Sequence, residues 1–260
     1  MHNNGFHEIR SGITFLNLYD KLTVKLSDKF TVSYSGPFKP KSAKFNNDVI
    51  VKIYKKISLI NKKNTFKVHI QKNIPSQAGL GSASTDAASL IKGLQQLRLL
   101  NNIDNKFLSN IGADVPACFY GKNCLVTGMG DEIYRNISFP KYYIILVKPK
   151  INLSTDIMYG KIKDYLNIDK NYISKKKFLK TIHEKDIGND FEIIVKKENK
   201  KILDLLNFLS KLNKNIFSQM SGSGSCCFAV FAQKKHAQEA FAITKKNFKD
   251  YWIYLAENNV

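Results

Sequence analysis

Arginine is scarce in this chain. Only Arg10, Arg98 and Arg135 stand among 41 basic residues, and with 21 acidic residues the formal net charge is +20. Nucleic-acid sites favour the planar guanidinium fork for bidentate contacts, so a charge made almost wholly of lysine argues against a nucleic-acid partner. Lysine, asparagine and isoleucine are what an AT-rich coding sequence favours, which accounts for much of the excess. A positive field still draws in phosphorylated small molecules. Long apolar runs are missing too. The longest, such as Tyr142 to Val147, are strand-sized, far short of the roughly 20 residues that cross a bilayer. Residues 1–8 show neither the basic nor the apolar part of a secretory signal, so a cytoplasmic chain with no membrane partner is expected. The four cysteines (Cys118, Cys124, Cys226, Cys227) form no Cys-x-x-Cys pair, and the five histidines show no ligand spacing with them. Buried free thiols are expected, and no protein-held metal cluster.

What is present suits a folded enzyme. The chain has 260 residues, 43% of them hydrophobic, enough for one large domain or two lobes. Ile13 to Leu26 alternates as strands around a Tyr19-Asp20 turn, and Phe66 to Ile70 alternates again. Helical spacing marks Asn47–Lys56, Ser84–Leu100, Ile202–Leu212 and His236–Phe248, while Tyr142–Val147 and Cys226–Phe231 read as buried strands. Without a regular βαβ alternation the class is α+β. A boundary near Phe139-Pro140 divides the chain into residues 1–138 and 139–260.

The strongest chemical signal runs from Pro75 to Ala88 and contains Ala78, Gly79, Leu80, Gly81, Ser82, Ala83, Ser84 and Thr85. It follows a strand and opens a helix. Small residues let several N–H groups turn toward one anion, and the helix N-terminus adds partial positive charge. The hydroxyls of Ser82, Ser84 and Thr85 stand within reach of a phosphate-bound Mg²⁺. The Gly-x-x-x-x-Gly-Lys-Ser/Thr pattern of P-loop enzymes is absent. A second glycine turn, Met220 to Phe228 with Gly222 and Gly224, follows about 140 residues later by the pattern of motifs.

Pro-x-x-x-Gly-Leu-Gly-Ser resembles the ATP-phosphate loop of GHMP kinases, and the late glycine turn resembles the motif that faces it there. Gly112-Ala113-Asp114-Val115-Pro116 is similar to the signature of the diphosphocytidyl-methylerythritol kinases within that family. Gly5-Phe6-His7-Glu8-Ile9 resembles their cytosine-holding segment, and Ser154-Thr155 followed by Tyr159 resembles the segment that closes over the base. Asn47-Asp48-Val49, Asn189-Asp190-Phe191-Glu192 (read as a structural turn) and Gly128-Met129-Gly130-Asp131-Glu132 (read as a hairpin) match in order. The resemblance implies a two-lobed fold, with an N-terminal lobe like ribosomal protein S5 domain 2 and a ferredoxin-like C-terminal lobe. It implies ATP and Mg²⁺ as cofactors, ATP at Pro75 and Ala78–Thr85, and Asp114 as catalytic base. It also implies a substrate carrying a cytidine diphosphate group, held by Phe6, His7, Thr155, Tyr159, Gly222 and Gly224.

Three departures stand out. The family's first strand, ending in Lys-Ile-Asn-Leu, precedes the cytosine motif, whereas Gly5 here lies four residues after Met1. Residues 1–260 alone are therefore expected to bind ligands weakly and turn over poorly. The loop reads Gly-Leu-Gly-Ser-Ala-Ser, which demands negative φ at Ser82 and Ala83. The stretch before Gly112 is a few residues short. Two rival readings remain: another GHMP kinase of homoserine or mevalonate type, which would not need Phe6-His7, and a lysine-rich nucleic-acid binder, which would show a steep salt dependence.

Overall fold

The computed structural model describes residues 10–40, 48–60, 65–101, 103–128, 130, 132–135, 137–153 and 188–259. They form two compact units. One takes the described residues up to Ser76, then Gly81–Pro140 and Asn259; the other takes Gln77–Leu80 and Lys141–Asn258.

The first unit contains β1 (Ser11–Ile13), β2 (Lys21–Leu26), β3 (Thr31–Ser35), α1 (Val49–Ile60), β4 (Phe66–Gln71), α2 (Ser82–Gln96), α3 (Asn105–Ser109), α4 (Val115–Tyr120), β5 (Cys124–Thr127) and β6 (Glu132–Tyr134). β4 is the middle strand of one sheet, antiparallel to β2 and parallel to β3. Its strict alternation turns Phe66, Val68 and Ile70 inward and Lys67, His69 and Gln71 outward. Helices α1 and α2 bring Ile50, Ile53, Ile57, Leu90, Ile91 and Leu94 into the same core. The Phe66 ring stands edge-on to Phe30 and Tyr54, which stack on each other with centroids 3.8 Å apart. A second sheet joins β1, β5 and β6. The expected strands on either side of Tyr19-Asp20 do not pair with each other. β1 pairs with β5 and β2 with β4, so this segment passes from one sheet to the other.

The second unit contains β7 (Tyr143–Lys148), α5 (Asp190–Glu198), α6 (Lys200–Ser210), β8 (Phe217–Met220), β9 (Cys227–Phe231), α7 (Lys234–Asn247) and β10 (Trp252–Glu257). Its sheet is antiparallel throughout, in the order β10-β7-β9-β8. Strand, helices, two strands, helix, strand in that spatial order is the ferredoxin-like arrangement. Ile145, Val147, Ala229 and Phe231 face Ile194, Ile202, Leu205, Leu209 and Ala237 across one core. Asn199 ends α5 and caps α6, its Oδ1 accepting from the Ile202 amide at 3.3 Å.

A buried charge cluster ties the first unit together just ahead of Pro75. Lys72 is 8% exposed and Asp86 7%. The Lys72 ammonium donates to Asp20, to Asp86 Oδ2 at 2.5 Å and to Ser82 Oγ at 2.9 Å. The other Asp20 oxygen accepts the Asn73 and Ile74 amides at 2.5 and 2.9 Å. Gly36, at φ 87°, lies so close to Lys72 that a Cβ would sit 2.5 Å from its carbonyl oxygen. Next to this cluster the Tyr34 hydroxyl donates to Asp48, which also accepts the Ile50 amide and so opens α1.

Burial pushes the Asp86 carboxyl up to about 6; Lys72 pulls it back and Asp20 adds to the rise. The folded value lies above the ~3.9 of an unfolded aspartate. This group's stabilisation is therefore complete below about pH 4 and lost as the pH rises through about 6. Asp86→Asn removes that dependence. The melting temperature of the parent minus that of Asp86→Asn should fall steadily between about pH 4 and 7; parallel curves would refute the assignment.

Candidate functional site

The residues from Pro75 to Thr85 divide between the two units. In the second unit, Gln77–Leu80 runs beside the Ser221–Cys226 turn that joins β8 to β9. The Ser225 and Cys226 amides donate to the Gln77 and Ala78 carbonyls at 3.3 and 3.1 Å, and Ser221 Oγ donates to the Gly79 carbonyl at 2.8 Å. Gly79 has φ 69°, and a Cβ there would lie 2.0 Å from the Ser221 carbonyl oxygen. Gly222, at φ 49°, approaches the Gly79 oxygen in return, and Gly224, at φ 83°, leaves no room beside Met220 and Leu153. The two glycine motifs, far apart in sequence, are thus brought backbone to backbone.

The turn is held from behind by the Asn189–Glu192 segment. Asn189 caps α5, with its Oδ1 accepting the Phe191 and Glu192 amides. Its Nδ2 donates to the Met220 and Gly222 carbonyls at 2.7 and 2.8 Å. Glu192 Oε2 accepts the Met220 amide at 2.7 Å while Oε1 pairs with Lys196 at 2.8 Å.

In the first unit, Gly81 opens α2 in the left-handed region at φ 66° and ψ 17°, with no side chain capping the helix among the described residues. Ser82, Ala83 and Ser84 fill the first turn, where amides have no partner inside the helix. Ser82 and Ala83 are absent from the positive-φ positions, which meets the demand raised by their replacing glycine. The three hydroxyls differ. Ser82 Oγ accepts from Lys72, Thr85 Oγ1 donates to the Ser82 carbonyl, and Ser84 Oγ has no protein partner among the described residues. Uncommitted amides and a free hydroxyl at the start of a 15-residue helix fit a phosphate and its Mg²⁺.

Asp114 stands at the N-cap of α4, with Pro116 in the first turn, yet its carboxylate makes no capping bond. Only its backbone serves the helix, accepting the Cys118 amide at 3.1 Å. The acid is therefore not used up in local structure. It keeps an outer face open to solvent, while the protein around it displaces enough water to push its pKa up. Burial, followed by the Asp114 charge, drives the neighbouring Cys118 thiol up to about 12, so Cys118 stays protonated and inert. Gly130, at φ 98°, packs against Ala113, where a Cβ would lie 3.3 Å from the Ala113 carbonyl. The Gly128–Glu132 motif is indeed a hairpin, with Thr127 opposite Glu132, and it backs the aspartate's loop. Lys52 Nζ holds the Ile111 carbonyl at 2.8 Å on the other side.

Phe6, His7, Thr155 and Tyr159 lie outside the described residues. Sequence reasoning took Asp20 for a turn residue and gave Lys72, Asp86, Asn189 and Glu192 no part in the site. The Asn-x-x-Glu spacing signals a helix cap, but nothing local in it announces the bonds to Met220 and Gly222. Among the described residues no group of histidine, cysteine, aspartate and glutamate is placed to hold a metal, and no helix is long and apolar enough to cross a membrane.

Comparison with known proteins shows the family. The GHMP kinases N terminal domain matches residues 48–131 and the GHMP kinases C terminal domain residues 170–250. Curated relatives named 4-diphosphocytidyl-2-C-methyl-D-erythritol kinase include one from Clostridium tetani, 29% identical over 96% of this chain and 91% of its own length. Another, from Acetivibrio thermocellus, is 31% identical over 92% and 86%, and one from Buchnera aphidicola is 31% identical over 95% and 86%. A crystal structure of 4-(cytidine 5'-diphospho)-2C-methyl-D-erythritol kinase shares the fold, with TM-score 0.76 at 20% identity over 100% of this chain and 93% of the other. A crystal structure of L. major mevalonate kinase shares it with TM-score 0.73 at 16% identity over 97% of this chain and 90% of the other. With both domain patterns present and relatives above 30% identity along nearly its whole length, the chain belongs to the GHMP kinase family.

Proposed function

We propose that this protein transfers the γ-phosphoryl group of ATP to the 2-hydroxyl of 4-diphosphocytidyl-2-C-methyl-D-erythritol, a step in isoprenoid precursor synthesis, in the cytoplasm. The observation that carries the chemistry is Asp114: a carboxylate at a helix start that makes no capping bond and has no donor among the described residues, set in a family of kinases. The acceptor follows the name shared by the relatives and the Gly5–Ile9 motif. Residues 1–138 would form the nucleotide-binding domain and 139–260 the C-terminal domain.

Asp114 takes the proton of the acceptor hydroxyl as that oxygen bonds to the γ-phosphorus and the bond to the ADP oxygen breaks. A pKa raised by burial makes the carboxylate a stronger base. The Ser82–Ser84 amides and the α2 dipole receive the phosphates; the family motifs assign Gly79 to ATP and Gly222 and Gly224 to the substrate. Ser84 Oγ is the hydroxyl available to Mg²⁺, which when bound neutralises phosphate charge. The motifs that resemble the family's cytosine-holding segments assign Phe6, His7, Thr155 and Tyr159 to the cytidine group, on which an aromatic ring would stack.

Asp114→Asn keeps the shape and removes the basicity. Turnover in an ADP-release assay should fall by roughly 10²–10⁴-fold with ATP affinity intact; an unchanged kcat would remove Asp114 from the mechanism. Among the described residues no atom lies within 4 Å of a Cβ built at Gly81, so Gly81→Val acts chiefly through backbone strain. A left-handed conformation costs an ordinary residue about 1–2 kcal/mol, and ATP binding measured by calorimetry should weaken roughly tenfold. Equal affinity in the folded variant would move the phosphates elsewhere. Phe6→Ala should raise KM for the cytidine substrate by about 1–3 kcal/mol, the value of a base stack, and leave KM for ATP alone. An equal rise for both would contradict the division of roles.

A further inference from the structure

Helix α5 begins with a residue that does more than begin a helix. Capping needs only an acceptor, and serine or aspartate serves as well as asparagine. Asn189 spends its carbonyl oxygen on that task, accepting from Phe191 and Glu192 at 3.0 and 3.4 Å. Its amide nitrogen has two protons to give, and both are given to one turn, at Met220 and Gly222. Neither serine nor aspartate reproduces that: the first is too short and the second offers acceptors where carbonyl oxygens stand.

The contacts form a continuous path. Ile194 and Val195 anchor α5 in the core of the second unit. Asn189 and Glu192 then hold Met220 by both its carbonyl and its amide. The turn that follows fixes Ser221 by its own bond from the Gly224 amide at 2.9 Å, and Ser221 Oγ holds the Gly79 carbonyl. Gly222 is exposed and Gly79 half-buried, so the backbone that faces outward is the part braced from behind.

We propose that Asn189 is a positioning residue of the kinase site, a clamp whose two donated bonds set the Met220–Gly224 turn against Gly79 and so fix the backbone that the family motifs assign to the ligands. This rests on the reading that Gly79, Gly222 and Gly224 line the ligand site. Glu192 supports it through the Met220 amide.

The test separates clamp from cap in the full chain. Asn189→Ser keeps the cap and loses the reach; Asn189→Ala loses both. Asn189→Ser should melt close to the parent, exchange the amides of residues 220–226 faster, and bind MgATP more weakly. Its kcat/KM should fall about 10- to 100-fold, the scale of an ångström-sized misplacement. Asn189→Ala should add a loss of stability. If Asn189→Ser exchanges and turns over like the parent, or melts as low as Asn189→Ala with full activity per folded molecule, Asn189 is a cap and the proposal falls. Exchange and MgATP affinity do not depend on the acceptor. A parent that binds MgATP but does not phosphorylate the cytidine substrate therefore overturns the assigned acceptor, and Asn189 is still judged by those two measurements.

Discussion

Two stretches of bare backbone pressed together govern the second unit's contribution to the site. Gln77–Leu80 lies against the Ser221–Cys226 turn, with amide-to-carbonyl bonds at Gln77 and Ala78 and the Ser221 hydroxyl on the Gly79 carbonyl. The gap is so narrow that a Cβ at Gly79 would reach within 2.0 Å of the Ser221 oxygen. Every neighbour is arranged to permit this. β8 and β9 deliver the turn from one antiparallel pair, with Met220 opposite Cys227. Cys226 and Cys227 are fully buried behind it, small apolar side chains whose burial keeps both thiols protonated. Their adjacency reflects packing and carries no redox chemistry.

The first unit fixes the preceding part of the same chain segment by different means. There a single lysine faces two carboxylates in a nearly dry pocket, and its remaining donor capacity goes to Ser82. Removing either partner of a buried pair leaves an uncompensated charge, so the cluster is a stringent constraint on where β4 ends and α2 begins. Asp20 adds specificity by binding two consecutive amides ahead of Pro75. Phosphate-receiving amides are useful only if held where the charge will be, and this is where side chains, not glycine, do the holding.

Much of this was legible in the sequence because its signals were local and periodic. β4, α2, β7, α6, β9 and α7 follow from alternation or helical spacing and appear within a few residues of expectation. The ferredoxin-like lobe and the glycine loops came from motif order. What escaped was non-local. β3 pairs in parallel with β4, and its Thr31–Ser35 stretch carries only Val32 and Tyr34 as inward residues. β10 earns its place by pairing with β7 from the end of the chain. Asp20 looked like a turn residue because a turn is the commonest use of aspartate; its actual partners lie 52 to 54 positions away. Asn189 showed its cap and hid its clamp for the same reason, since Met220 is 31 residues distant.

The approach at Gly79 has a genetic corollary. When a larger side chain collides with another side chain, a smaller partner elsewhere can relieve the collision. Here the obstacle is the Ser221 main-chain oxygen, which every amino acid at position 221 would present alike. No compensating replacement at that neighbour exists, so a damaging change at Gly79 should resist second-site suppression, and glycine there should be invariant whatever else the sequence becomes.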